Sequence, residues 1–358
     1  MKKKILITTG GSGGHIIPAT ILFDHLKENF EVFLETDKRG ASFIDSKKYK
    51  YKVFSSVKLD SFFTMPINLF KIIILFFNSI IYLKKNNFII IISTGGYMSI
   101  PTCFAAKILG LDIFLLEPNM AIGRSNRFFL NFTKKIFCYS ANLKYFPKKY
   151  EKKITVIPSL LRKEVYETKN NKEKGYKNFK ILIIGGSQGA MIFEKKIIPL
   201  IIQLSKKLNI SVYHQIKFDE KKYKEISETY QKNNINFELF NFKHNILEYI
   251  SESDLVITRA GASTLAELVY LNIPFVAVPF PQSKDNHQFY NAKEYSDQKL
   301  CWLVNQSDYK KENLKEFILN LIQNNDNYFE KKNNMIKFSY QNTWNNINQK
   351  LLALINEN

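Results

Sequence analysis

The chain has 358 residues, enough for two domains of ordinary size, and 45% of them are hydrophobic, as in a globular protein. Its three cysteines are an odd number without C-x-x-C spacing, so neither a disulfide framework nor a cysteine metal site is expected. The formal charge of +20 comes from lysines spread along the chain, which argues against nucleic-acid binding and favours contact with an anionic surface.

Short apolar runs separated by longer stretches predict alternating strands and helices in both halves of the chain. The first half has predicted strands at 4–8, 31–35, 88–93, 113–117, 135–138 and 154–157, and the second at 180–184, 211–215, 236–240, 255–258, 275–278 and 301–304. This alternation predicts an α/β protein with two parallel sheets. A polar linker is predicted at 163–180, and a helix at 342–354 is predicted to pack back on the first domain.

Residues 67–83 are apolar on almost every side, with their polar positions on one narrow stripe at the helical repeat. The segment is short for a membrane span, which needs roughly 20 apolar residues. Two interpretations stay open. The segment is a core helix packed on the sheet, or its surplus apolar surface docks on a bilayer with Lys71, Lys84 and Lys85 toward lipid phosphates.

Each half of the chain opens with an apolar strand that ends in a glycine-rich turn. The first reads K-I-L-I-T-T-G-G-S-G-G from residue 4, and the second reads K-I-L-I-I-G-G-S-Q-G from residue 180. Such turns lead into helices whose first amides bind phosphate, so the pair predicts a phosphorylated ligand held between two domains. His15 follows the first turn at the start of a helix, where positive partial charge keeps an imidazole neutral, as a general base requires.

Further polar segments are predicted at the carboxyl ends of strands. Residues 94–101 and 117–119 are expected at the same edge as His15, where they would hydrogen-bond a polyhydroxyl ligand. In the second half, residues 259–267 predict a strand, a tight turn and a helix, whose amides at 262–264 would face a diphosphate while Glu267 holds a ribose. No D-x-D motif occurs, so helix amides rather than a metal are expected to neutralise the leaving group.

Six motifs together resemble the MurG family of bacterial glycosyltransferases. They are G-G-S-G-G-H (10–15), G-G-Y-M-S-I-P (95–101), E-P-N (117–119), G-G-S-Q-G-A (185–190), R-A-G-A-S-T-L-A-E (259–267) and D-N-H-Q…N-A (285–292). The resemblance implies the GT-B fold, in which two Rossmann-like domains with parallel sheets face a central cleft. It also implies an acceptor- and membrane-binding domain at 1–162, with the helix of 342–358 packed on it, and a UDP-GlcNAc-binding domain at 163–341.

The activity that the resemblance implies is inverting transfer of GlcNAc from UDP-GlcNAc to the C4 hydroxyl of MurNAc in lipid I. The product is lipid II for peptidoglycan synthesis, and no cofactor or metal is implied. The implied location is peripheral, on the cytoplasmic face of the inner membrane. The 67–85 helix is the segment implied to contact the anionic membrane surface. The implied partners are UDP-GlcNAc, lipid I and proteins of cell-wall synthesis or division, and not nucleic acid.

The same resemblance assigns site residues. His15 is the implied catalytic base. The donor contacts are Ser12, Gly13, Gly14, Asn119, Arg162, Ser187, Arg259, Ala262, Ser263, Thr264, Glu267, His287 and Gln288, and the acceptor contacts are Tyr97, Asn126 and Asn291. Two alternatives stay open: a related GT-B enzyme that glycosylates diacylglycerol, and a UDP-sugar epimerase, whose expected carboxylate pair is not evident.

Overall fold

The computed structural model describes residues 2–54, 65–168, 178–185, 191–217, 219–241, 246–310, 314–323 and 325–357. The chain divides into two compact units. The first unit is Met1–Arg162 with Asn342–Asn358, and the second unit is Lys163–Gln341. Each contains one parallel sheet with helices, so the predicted α/β class with two parallel sheets is confirmed.

The first unit is built on seven parallel strands. They are β1 (Lys4–Thr8), β2 (Glu31–Asp37), β3 (Tyr51–Phe54), β4 (Ile90–Ser93), β5 (Asp112–Glu117), β6 (Lys135–Cys138) and β7 (Ile154–Val156). Its helices are α1 (Gly13–Leu26), α2 (Lys38–Ala41), α3 (Met65–Asn86), α4 (Ser99–Ile108), α5 (Arg124–Phe129) and, last in the chain, α14 (Trp344–Asn356), with a 3-10 helix at Lys148–Lys153. The sheet order β3-β2-β1-β4-β5-β6-β7 reverses direction between β1 and β4.

The second unit is built on six parallel strands. They are β8 (Phe179–Ile184), β9 (Ile210–Gln215), β10 (Asn236–Phe240), β11 (Leu255–Thr258), β12 (Phe275–Ala277) and β13 (Trp302–Leu303), in the order β10-β9-β8-β11-β12-β13. Its helices are α6 (Lys163–Glu167), α7 (Met191–Ser205), α8 (Glu220–Lys232), α9 (Ile246–Glu252), α10 (Ala262–Tyr270), α11 (His287–Asp297), α12 (Leu314–Gln323) and α13 (Asn325–Ser339), with 3-10 helices at Lys284–Asn286 and Gln306–Lys310. Here the order reverses between β8 and β11.

The central strands are apolar on both faces because helices cover both sides of each sheet. Leu6 on β1, Ile91 on β4 and Leu115 on β5 are fully buried in the core of the first unit. Ile181 on β8 and Ile257 on β11 hold the same position in the second. These buried strands fix the place where the loops at their carboxyl ends emerge.

The structure adds one strand that the sequence does not predict and corrects the predicted linker. Strand β3 was not predicted, because only Phe54 in its sequence is buried while Lys52 and Val53 are exposed at the sheet edge. The predicted linker begins instead with helix α6, whose Val165 is fully buried. Residues 169–177 of the predicted linker lie outside the described residues.

Helix α3 extends beyond the predicted 67–83 at both ends. Leu75, Ser79 and Leu83 are spaced by four residues and are buried, so this face belongs to the core. Phe77 and Ile81 point away from that face and are exposed. Across the part of the chain that the structure describes, no helix is long and apolar enough to cross a membrane.

The C-terminal helix α14 packs against α1. The ring of Trp344 stacks on the imidazole of His25, with the ring centroids 3.6 Å apart. His25 is buried, and this burial lowers its pKa to about 4 against the opposing charge of Asp24. The stack therefore joins two flat rings, one of them an uncharged imidazole, where α14 packs on α1 within the first unit.

Candidate functional site

Three loops of the first unit lie side by side at one edge of its sheet. β1 pairs with β4, and β4 pairs with β5, all in parallel, so their carboxyl ends are neighbours. The segments that follow them are 9–15, 94–98 and 118–126. In open α/β sheets, ligands bind at such an edge next to the reversal of strand order. The structure thus brings together the first-unit residues that the sequence predicts, apart from Arg162, which is half-buried at the end of the unit's first segment.

His15 lies in the first turn of α1 and is hydrogen-bonded across the sheet edge to Thr94. Its Nδ1 is 2.8 Å from the carbonyl oxygen of Thr94. Because a carbonyl only accepts hydrogen bonds, Nδ1 carries the proton, and Nε2 holds the lone pair of the neutral ring. The Thr94 hydroxyl also donates to the backbone oxygen of His15 at 3.1 Å. The half-buried imidazole is therefore held in the tautomer that accepts a proton at Nε2.

Two glycines allow the turns after β1 and β4 to approach each other. Gly95 has a φ of +96°, and a Cβ atom there would lie 3.1 Å from Cε1 of His15. Gly96 has a φ of +91°, and its Cβ would lie 2.9 Å from the backbone Cα of Gly10. The Gly10 amide donates to the Gly95 carbonyl oxygen at 3.2 Å. Side chains at these two positions would separate the turns or displace the imidazole.

Glu117 organises the third loop from within. One carboxylate oxygen accepts hydrogen bonds from the backbone and side-chain nitrogens of Asn119, both at 3.2 Å. The other accepts from the amide of Gly123 at 2.8 Å and from Nδ2 of Asn126 at 3.0 Å. Burial raises the pKa of Glu117, and hydrogen bonds from Gly123, Asn126 and Asn119 oppose the rise. The carboxylate thus positions the predicted residues Asn119 and Asn126.

The glycine turn after β1 presents the start of α1. Ser12 is the N-cap residue of this helix, but its hydroxyl makes no capping hydrogen bond to the first turn, which is described throughout. The amides of Gly13 and Gly14 belong to the group that an α-helix leaves without intrahelical partners. Tyr97, predicted as an acceptor contact, is 49% exposed on the neighbouring loop. This edge therefore offers backbone donors, an exposed phenol and the imidazole.

The second unit repeats the arrangement with β8, β11 and β12 as neighbours. Gly261 is the N-cap of α10, and the amide of Leu265 donates to its carbonyl oxygen at 3.0 Å. The preceding amides of residues 262–264 therefore form the donor end of the helix. Glu267 is buried one turn further along. Ser187, predicted on the turn after β8, lies outside the described residues.

Arg259 is buried directly after β11. Its guanidinium donates to the carbonyl oxygens of Val278 at 3.2 Å and Pro279 at 3.0 Å, and to Oε1 of Gln306 at 2.9 Å. It also lies between two aromatic rings, 5.0 Å from the Phe193 centroid and 5.3 Å from the Phe280 centroid. These contacts tie the loop after β12 to the start of α10.

The predicted residues on α11 also make bonds within the unit. The Gln288 side-chain oxygen accepts from the Phe280 amide at 2.9 Å, and Asn291 Nδ2 donates to the Ala260 carbonyl oxygen at 3.1 Å. His287 Nδ1 is 2.8 Å from the carbonyl oxygen of Lys284, which again places the proton on Nδ1. The structure therefore gathers 259–264, 278–281 and 287–291 around one sheet edge.

The sequence pattern placed Thr94 in a segment expected to hydrogen-bond a polyhydroxyl ligand, not against His15, and it assigned no role to Gln306. Thr94 acts through a backbone carbonyl, which every residue has, and Gln306 is 47 residues from the arginine that it contacts. Neither had a signal that sequence pattern alone could supply. Within the described ranges, no group of three or more His, Cys, Asp and Glu side chains could hold a metal ion.

Comparison with known domains covers both units. Residues 5–138 match the glycosyltransferase family 28 N-terminal domain, and residues 180–347 match the glycosyltransferase family 28 C-terminal domain. Among solved structures, the crystal structure of MurG from Acinetobacter baumannii superposes with a TM-score of 0.78 at 24% identity, over 99% of this chain and 100% of that one. This likeness supports the GT-B fold.

Curated relatives align along the whole chain. The UDP-N-acetylglucosamine–N-acetylmuramyl-(pentapeptide) pyrophosphoryl-undecaprenol N-acetylglucosamine transferase of Pelagibacter ubique is 46% identical over 359 residues, covering 100% of both chains. The transferase of the same name from Rickettsia felis is 35% identical over 334 residues, covering 90% of this chain and 91% of its own.

Proposed function

The chain belongs to glycosyltransferase family 28, and from that premise we propose that it transfers GlcNAc from UDP-GlcNAc to the C4 hydroxyl of MurNAc in lipid I. The products are UDP and lipid II, an intermediate of peptidoglycan synthesis. The observation that carries this proposal is 46% identity to a transferase of this name over the full length of both chains. The same identity favours a transferase over the epimerase alternative.

His15 is the proposed general base. Its Nε2 would accept the proton of the C4 hydroxyl while that oxygen attacks the anomeric carbon of GlcNAc. The C4 oxygen forms its bond to the anomeric carbon on the face opposite the β-phosphate oxygen. The bond to that oxygen breaks and UDP leaves with the electron pair, so attack from the opposite face inverts the configuration at this carbon. The hydrogen bond between Nδ1–H of His15 and Thr94 supports the role, since it leaves Nε2 as the basic nitrogen.

The second unit is the proposed site of UDP-GlcNAc. The amides of residues 262–264 would hold the diphosphate as charge develops on the leaving group, and Glu267 would hold the ribose. Arg259 would shape this site through the loop after β12 as well as contribute positive charge near the nucleotide. We include Ser187, His287 and Gln288 among the donor contacts, and no metal is proposed.

The first unit is the proposed acceptor domain. Tyr97 and Asn126 lie at the same edge of the sheet as His15. They are proposed to contact lipid I, together with Asn291 of the second unit. Asn126 is buried, and its Oδ1 has no hydrogen-bond partner among the residues that the structure describes. Ser12, Gly13, Gly14, Asn119 and Arg162 remain proposed donor-side contacts, the first three through the start of α1.

Product analysis with purified protein tests this function. Incubation with UDP-GlcNAc and a soluble lipid I analogue should yield the disaccharide product and one UDP per transfer. His15→Ala should lower turnover on the order of 10²- to 10⁴-fold, the range for losing a general base, with little change in UDP affinity. Thr20→Ala, on the exposed side of the same helix, is the matched control and should retain activity.

Two results would contradict the proposal. Transfer to diacylglycerol in preference to the lipid I analogue would move the protein to a different acceptor class. Release of a free epimerised sugar without any acceptor would remove the transferase assignment. Full activity of His15→Ala would leave the function in place but would eliminate the imidazole as its base.

We further propose that α3 docks on an anionic membrane surface. Phe70, Phe77 and Ile81 are 64%, 58% and 63% exposed, and Ile73 and Ile74 are exposed between them. This spacing places them on one side of the helix, opposite its buried face. Lys71, Lys84 and Lys85 on the same helix are also exposed, where they can contact lipid phosphates. Docking here would place the first unit at the surface that contains its lipid-linked acceptor.

Vesicle binding tests the docking surface. Burying a whole Phe or Ile side chain is worth about 1.5–3 kcal/mol, so Phe77→Ser with Ile81→Ser should cost about 2–3 kcal/mol at their partial exposure. That loss weakens partitioning roughly 30- to 140-fold. Tyr340→Ser, at a 70% exposed aromatic of the second unit, is the control. Unchanged binding of the double variant to anionic vesicles would exclude α3 as the docking surface.

The location follows from this proposal. We propose peripheral attachment at the cytoplasmic face of the inner membrane, where UDP-GlcNAc and the lipid-linked acceptor would meet. Proteins of cell-wall synthesis or division are proposed as neighbours at that surface. Flotation of the full-length protein with vesicles of neutral and anionic composition checks the charge requirement, because a salt-sensitive preference for anionic vesicles is expected.

A further inference from the structure

We infer that Thr94 is the positioning residue of His15, holding the imidazole through its carbonyl and the start of α1 through its hydroxyl. The inference rests on the proposed function, because it concerns how the same base is prepared. Thr94 is separated from His15 by 79 residues and touches it at two different atoms. It acts through the histidine and not on the reacting atoms directly.

Thr94 is itself fixed by the sheet. It follows the last residue of β4, is fully buried, and its amide donates to the carbonyl oxygen of Thr8 on β1 at 3.1 Å. Its carbonyl and hydroxyl both face α1, at 2.8 Å from Nδ1 of His15 and 3.1 Å from the backbone oxygen of His15. The imidazole is thereby connected to the central strands of the first unit's sheet.

The neighbouring glycine keeps this geometry open. A Cβ atom at Gly95 would lie 3.1 Å from Cε1 and 3.2 Å from Nδ1 of the imidazole, so the ring rests against bare backbone. The ring has little room to turn on that side. Turning it over would place a carbon atom where Nδ1–H now meets the Thr94 carbonyl, and the hydrogen bond would be lost.

This arrangement also favours the protonated product of the base step. When Nε2 accepts a proton, the positive charge spreads over the ring and strengthens the bond from Nδ1–H to the Thr94 oxygen. The proton comes from the acceptor hydroxyl and leaves to solvent after turnover, so nothing else is consumed. Thr94 therefore fixes which nitrogen reacts and stabilises the ring after it has reacted.

Paired substitutions test the role in catalysis. Thr94→Val keeps the side-chain shape but loses the hydroxyl, and Thr94→Ser keeps the hydroxyl. We expect Thr94→Val to lower kcat on the order of tenfold with the KM for UDP-GlcNAc unchanged, and Thr94→Ser to stay near wild type. In a His15→Ala background, Thr94→Val should cause no further loss. Full activity of Thr94→Val, or an equal loss in both backgrounds, would overturn the inference.

Nitrogen NMR of the imidazole tests the same inference without any substrate. With ¹⁵N-labelled histidine, and His15 assigned through His15→Ala, the neutral wild-type ring should show a protonated Nδ1 and an unprotonated Nε2. The opposite tautomer in the wild type would overturn the inference, and this measurement needs no variant that alters Thr94. If the expected tautomer is found but no lipid product forms, the proposed function fails while the positioning role stands.

Discussion

Glu35 is a carboxyl group placed where ionisation is unfavourable. It lies on β2, is fully buried, and its Oε1 accepts a hydrogen bond from the Thr102 hydroxyl at 2.6 Å. Its Oε2 has no hydrogen-bond partner among the described residues. Burial raises its pKa to about 7, opposed by the bond from Thr102 and the charge of Lys52. Among the described residues, Tyr82 on α3 and Cys103 on α4 are further titratable groups that interact with it.

The direction of the effect follows from the two states of the chain. The pKa of Glu35 is about 7 in the folded protein against 4.5 for an ordinary glutamate, so between these values the folded state holds the additional proton. Stability from this group is therefore complete below pH 4.5 and is lost as the pH rises through 7. The two pKa values differ by about 2.5, which corresponds to about 3 kcal/mol in the free energy of unfolding.

Glu35→Gln tests this reasoning by removing the ionisation. At pH 5 the variant should unfold near the wild-type temperature, because an amide resembles the protonated acid. At pH 9 it should be more stable by about 3 kcal/mol, which corresponds to about 6–12 °C in Tm for a unit of this size. Thermal unfolding followed by circular dichroism across this pH range measures the difference.

A matched control lies on the same strand. Glu31 forms a partly exposed ion pair with Lys4 at 3.7 Å, and Glu31→Gln keeps the buried carboxyl. It should therefore retain the wild-type loss of stability at high pH. If Glu35→Gln shows the same pH dependence as this control, or is the less stable protein at pH 9, the buried carboxyl does not behave as argued.

Three further predictions concern other contacts. Gly96→Ala should destabilise the first unit by about 1–3 kcal/mol, seen as a lower Tm, because its Cβ would press on Gly10 at a positive φ. Gln306→Leu removes an acceptor from Arg259 and should weaken UDP binding about tenfold in calorimetry, whereas wild-type affinity would refute this. Trp344→Ala, at a half-buried ring, should cost less than the about 3–5 kcal/mol of a fully buried tryptophan and should speed proteolysis of α14, so an unchanged cleavage rate would count against the ring stack.

The strands were predictable because burial leaves a clear pattern in their composition. The runs at β1, β4, β8 and β11 are apolar on both faces, as expected of parallel strands that helices cover on both sides. β3 has no such run, since its exposed lysine and valine lie at the edge and its pairing with β2 is decided by the tertiary fold. The sequence pattern therefore located every strand of the two sheets except β3, at one edge of the first sheet.

The candidate site was predictable to the extent that strand ends imply neighbouring loops. The order of β1, β4 and β5 was not encoded in any local motif, but the polar residues after each of them were visible. Side-chain roles within the loops were less accessible. Glu117 is turned inward to its own loop and Arg259 to backbone carbonyls, because each buried charge needs partners that distant segments supply.

Both units place a helix start at the carboxyl end of a strand, but the proposed roles differ. In the first unit the role is to accept a proton, and in the second it is to bind an anion. In the second unit, the loop after β11 leads directly into α10, so the amides of residues 262–264 form the positive end of that helix and are proposed to face the departing diphosphate. In the first unit, the turn after β1 also leads into a helix, but His15 occupies its first turn and is bonded to Thr94. Helix amides cannot accept a proton, and an imidazole held in one tautomer can. In the proposed mechanism, the first unit therefore supplies the group that accepts a proton and the second supplies donors for an anion, and inverting transfer from a nucleotide sugar requires both.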